Sequence, residues 1–207
     1  MAMARSDDFK TNICRISFAN GLFKPRASVE GGALKYGCTL IFPKGDRAHL
    51  EKHIAATIQA EWGPKGLERA KAGLIKSPFL AGDGKEARNK QTGEIHPGFG
   101  PDVFFIRVQS TCEPVVLWKS ANVPATEDEV YSGCHGKAVL NCFAWHNAQN
   151  GDGVSFGIQM FQRTGDGERL GGGGKVDSSK YFETVEDAGP APDSTKDGAG
   201  AAGLFGA

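Results

Sequence analysis

The sequence contains no Cys-x-x-Cys pair, and its five cysteines (Cys14, Cys38, Cys112, Cys134 and Cys142) are odd in number and widely spaced. This argues against a disulfide-stapled secreted domain and for free thiols in a reducing compartment. No apolar run approaches the roughly 20 residues needed to cross a bilayer, and Met1 to Lys10 is polar and charged. Neither a membrane partner nor a signal peptide is therefore expected. Net charge is also lacking, because 24 Lys and Arg balance 24 Asp and Glu. There is no His-Glu-x-x-His and no pair of aspartates on consecutive strands, so no enzyme and no cofactor are expected. The glycine run Gly171–Gly174 before Lys175 imitates a phosphate loop. However, Arg169 stands at the first glycine position and Val176 at the Ser/Thr position, so the run reads as a hinge.

The neutral total conceals an uneven distribution. Met1 to Lys76 carries 13 Lys and Arg against 7 Asp and Glu, whereas Asp177 to Ala207 carries 2 against 6. A basic body with an acidic end is one compositional hint of a polyanionic partner. The 29 glycines fit turns, bulges and tails.

Alternation of apolar and polar residues predicts strands over Thr11–Lys24 (interrupted at Asn20-Gly21), Leu34–Phe42, Val103–Ser110, Val115–Lys119, Lys137–Asn147 and Val154–Thr164. Asn150-Gly151-Asp152-Gly153 reads as the hairpin loop joining the last two. Leu50, Ile54 and Ile58 recur at spacing four and predict a helix over Asp46–Trp62, capped by Asp46, stopped at Gly63-Pro64 and followed by a short helix to Gly73. These elements give a mainly β fold class: a barrel of about five strands with an inserted α-helix. A flexible arm is expected over 1–10, the folded domain over 11–174 and a disordered acidic tail over 175–207.

Cations and rings interleave on these strands, as a single-strand binder requires: cations track phosphates and rings stack bases. Phe104, Phe143 and Phe156 read as core. Arg107 shares a face with Phe105, and Arg163 with Phe161, so those two faces should be partly wet.

Several segments then resemble a known family in family order. They include Arg15–Phe23, Lys35-Tyr36-Gly37, Leu40–Lys44, Val130–Gly133, Gly153–Gln159 and Asp166–Gly172. The chain is similar to phage single-stranded-DNA-binding proteins related to the T7-type binding protein. The resemblance implies an OB-fold, sequence-nonspecific binding of single-stranded DNA and a role in phage replication and recombination in the host cytoplasm. It also implies an acidic tail that competes with DNA and contacts phage or host replication proteins; a homodimer is a further expectation. The expected phosphate ligands are Arg15, Lys24, Lys35, Arg107, Lys119 and Lys137, and the expected stacking rings are Phe23, Tyr36, Trp145 and Phe161. Two alternatives stand beside this reading. One is a phage structural or assembly protein using a sheet edge or the tail. The other is a zinc-dependent nucleic-acid protein built on Cys134, His135, Cys142 and His146.

Overall fold

The computed structural model describes residues 3–27 and 31–171, so the expected tail over 175–207 lies outside the described residues. In chain order the strands are β1 (Phe9–Lys10), β2 (Cys14–Ser17), β3 (Arg26–Ala27), β4 (Leu34–Pro43), β5 (Ile75–Lys76), β6 (Leu80–Ala81), β7 (Val103–Ser110), β8 (Val115–Trp118), β9 (His135–Asn147) and β10 (Gly151–Gly165). Helices α1 (Arg47–Trp62) and α2 (Pro64–Lys71) lie between β4 and β5.

Five of these strands close a barrel. β4 pairs antiparallel with β2 and with β7, β7 pairs parallel with β10, and β10 pairs antiparallel with β9. Cys14 opposite Gly136 joins β9 back to β2. This is the Greek-key order of an OB-fold. The interior is filled by Ile16, Leu40, Phe42, Ile106, Leu140, Phe156, Ile158 and Phe161, all at most 1% exposed. Helix α1 adds Leu50, Ile54 and Ile58 to the same core, as its spacing-four stripe predicts.

Several local expectations need correction. The first strand is short: it ends at Ser17, because Phe18 takes a left-handed conformation and Ala19–Leu22 forms a 3-10 turn. That turn packs Gly21 against β4, where a Cβ would lie 2.0 Å from the Gly37 carbonyl, so only glycine fits. Asp46 precedes α1 but does not cap it. Its backbone is helical rather than extended, and its carboxylate accepts from Asn12 Nδ2 at 2.9 Å. The β9–β10 turn falls on Ala148–Asn150, with Gly151 at φ +77° already paired to Asn147.

On β10 a register shift between Ile158 and Met160 breaks the alternation. Met160 is thereby turned outward and Phe161 inward. On β9 the small residues Ala138, Cys142 and Ala144 face the core, which leaves Phe143 half-exposed rather than buried. Residues 3–10 do not hang free as a loose arm. Ser6 Oγ accepts from the Cys142 N–H at 2.9 Å, Phe9 pairs with Leu140, and the Ala4 N–H donates to Glu61 at 2.6 Å.

Candidate nucleic-acid interface

The outward row of the β4–β7 pair is Lys35, Gly37, Thr39 and Ile41 on one strand and Phe105, Arg107 and Gln109 on the other, with Thr39 opposite Arg107. Half of this row is covered. The segment after β6 folds over Ile41 and Phe105, and with Ala87 and Leu170 it makes a second small core. Phe99 meets Phe105 edge-on at 4.9 Å. The expectation that Phe105 lies on a wet face is therefore corrected, while its neighbour Arg107 stays 53% exposed at the side chain. The uncovered half opens into a cleft of about 350 Å³ walled by Phe18, Arg26, Lys35, Tyr36, Arg107 and Gln109.

The same face continues around the barrel. Gln109 lies beside Gly157 of β10, and a cleft of about 230 Å³ there is shared by Lys35, Gln109, Arg5 and Phe143. Two residues further along β9, Trp145 covers Gly153, where a Cβ would sit 2.2 Å from the indole. Its Nε1 donates to Ser155 Oγ at 2.9 Å, which fixes the ring at the hairpin end. Arg5, Arg26, Lys35 and Arg107 thus accompany Phe143 and Trp145 along one face, and Tyr36, of the alternate β4 row, lines the cleft wall. A polyanion with flat bases needs this mixture of point charges and ring faces.

The other expected ligands lie elsewhere. Phe161 is fully buried and cannot stack a base. Phe23 packs against the core. Arg15 donates to the carbonyls of Gly133 and Glu168 at 3.2 and 2.7 Å. Lys24 pairs with Glu127 at 2.6 Å. Lys137 sits opposite Gln162, and Gln162 in turn donates to the Lys119 carbonyl, so both lysines belong to the β8–β10 side. On that side lies Arg163, which is buried rather than wet. Its guanidinium is 3.8 Å from the Trp118 ring centroid, donates to the Glu129 carbonyl at 2.9 Å and pairs with Asp166. Tyr131 donates to Asp166 and holds that carboxyl below its usual range, with help from Arg163.

The zinc set does not converge. His135 contacts the Asp166 carbonyl, His146 pairs with Asp152, and burial pushes the Cys142 thiol up to about 11. Among the described residues, no three His, Cys, Asp or Glu side chains form a metal-holding group. Gly153-Val154-Ser155-Phe156-Gly157 spells Gly-x-Ser-x-Gly, but it runs within a strand and Ser155 is engaged by Trp145. A nucleophile elbow needs a strand-to-helix turn instead.

The model of the family described as the Enterobacter phage Enc34 ssDNA-binding protein matches residues 8–191. The chain belongs to this family. It is also 28% identical, over 185 residues, to protein p50 of Acyrthosiphon pisum secondary endosymbiont phage 1, covering 85% of this chain and 92% of the relative. The bacteriophage Enc34 single-stranded DNA-binding protein solved with ssDNA superposes with a TM-score of 0.58 at 21% identity, over 79% of this chain and 89% of that one. A second structure of the single-stranded DNA-binding protein from bacteriophage Enc34 gives 0.55 at 22% identity, over 85% and 90%. These two likenesses establish the shared barrel.

Proposed function

We propose that this member of the family binds single-stranded DNA without sequence preference along the outer face of β4, β7 and β10, and serves phage DNA replication and recombination. The observation that carries the proposal is the convergence of Lys35, Tyr36 and Arg107 in one open groove of an OB barrel. This is the strand face such barrels use for oligonucleotides. The cations hold the backbone, Phe143 and Trp145 offer faces to the bases, and Tyr36 walls the groove between Lys35 and Arg107. Nothing in the arrangement selects a base, because stacking is available to every base. The acidic segment from Asp177 onward is proposed to compete for these cations when DNA is absent.

The test is titration of intrinsic tryptophan fluorescence with oligo-dT at several salt concentrations, against a duplex control. If Arg5, Arg26, Lys35 and Arg107 neutralise four phosphates, log affinity falls with log salt at a slope of about −3. Replacing Lys35 and Arg107 together by Ala should bring the slope to about −1.5 and weaken binding to every sequence alike. A flat salt response, or equal binding to duplex, would reject the reading.

A further inference from the structure

Phe18 is held in a conformation that a bulky residue rarely adopts, at φ 56° and ψ 40°. In that region a Cβ crowds the following carbonyl, and glycine or asparagine is the ordinary occupant. The turn from β2 into the 3-10 segment requires the backbone conformation but not the side chain. Nor does burial explain the phenyl ring: Ser17 and Ala19 are 5% and 1% exposed, while Phe18 is 50% exposed. Its ring meets His96 edge-to-face at 5.7 Å.

The position of Phe18 gives the ring a use. It borders the barrel-face cleft with Lys35 and Arg107. It also borders a cleft of about 660 Å³ beneath the 85–99 segment, which carries Lys85, Arg88 and Lys90. Arg107 lines both clefts, and its bonds to Glu86 at 3.0 and 3.2 Å tie that segment to β7. Strained backbone that its surroundings hold in place clusters at ligand-binding sites.

We infer that Phe18 is a base-stacking platform at which the bound strand leaves the barrel face and turns into the cleft beneath the 85–99 segment, whose Lys85, Arg88 and Lys90 hold its phosphates. The inference rests on the proposed single-stranded-DNA reading and extends it to a second arm of the site. Asp83, Glu86 and Glu94 temper the charge of this arm, so it holds a strand already stacked on Phe18 rather than capturing one alone.

Three variants test it, with oligo-dT of graded length as the probe. Phe18→Gly relieves the left-handed backbone, so its melting temperature should equal or exceed the parent's, while affinity for long oligo-dT falls by about five- to a hundredfold. Phe18→Trp should keep the affinity and report DNA by quenching. Lys85→Ala/Arg88→Ala/Lys90→Ala should weaken binding of long oligo-dT and leave the shortest bound length unaffected. Parental affinity in Phe18→Gly overturns the platform, and so does a joint loss of stability and affinity. A length-independent effect of the triple variant, or none, overturns the turn into the second arm. If the parent itself fails to bind oligo-dT, or binds it as tightly after Lys35→Ala/Arg107→Ala, the groove reading fails instead.

Discussion

Arg107 shows how the site is poised at the level of a single side chain. Its guanidinium is already occupied by the Glu86 carboxylate at 3.0 Å, with both partners well exposed. On the proposed reading, a carboxylate in that place stands in for a phosphate that DNA would supply, and the strand displaces it. Exposed pairs contribute about 0–1 kcal/mol, so Glu86→Gln should tighten oligo-dT binding by up to about fivefold at low salt. The gain should shrink as salt rises, with the melting point unchanged; titration at two ionic strengths checks this. Lys35 and Arg107 are legible as outward-facing because they sit on regular strands, where alternation gives the facing. Phe18 and Phe161 are not. A left-handed residue turns the first outward and a register shift turns the second inward, and neither leaves a pattern in the residue order.

At the level of elements, the amino-terminal segment is stitched to β9 and to α1. The Phe9 and His53 rings stack at 3.6 Å and 6°. Burial holds the His53 imidazole below its usual pKa, with Lys52 and His49 adding repulsion. A base whose folded pKa is depressed binds fewer protons folded than unfolded. Its neutral form therefore stabilises the fold above the ordinary histidine range, and that stability is lost as pH falls through the lower folded value. His53→Phe keeps the stack and removes the titration. It should match the parent at pH 7 and lose less melting temperature than the parent between about pH 6.5 and 5, measured by thermal denaturation. The helix, the long strands and the hairpin are readable from periodicity and turn residues. The pinning of residues 3–10 is not, because its partners, such as Cys142 and Glu61, are distant in sequence.

For the whole molecule, charge and topology meet at one place. The described residues end at Gly171, on the wall of a cleft shared with Phe18, Tyr131 and Arg169. From this point beside the proposed DNA path the chain continues into a sequence that is acidic from Asp177 onward. On the proposed reading, a chain shortened before Lys175 should bind oligo-dT more tightly than the full chain, with the difference fading at high salt. Equal affinities in a side-by-side titration would remove the tail from the mechanism. The barrel is legible as a class, from strand count and the family resemblance. Its closure is not, since no local signal pairs Cys14 with Gly136.

That closure also sets a timetable for synthesis. The joining contact spans 122 residues of chain. At about 5–20 residues per second, roughly 6–25 s pass between translation of β2 and of the strand that completes it. Once β7 has been made, the β2–β4–β7 meander still waits for β9 and β10 with an open edge on each side and its apolar face uncovered. An open edge of this kind recruits other chains. The nascent protein is therefore at its most adhesive while still on the ribosome, and when many copies are made at once, their neighbours are one another.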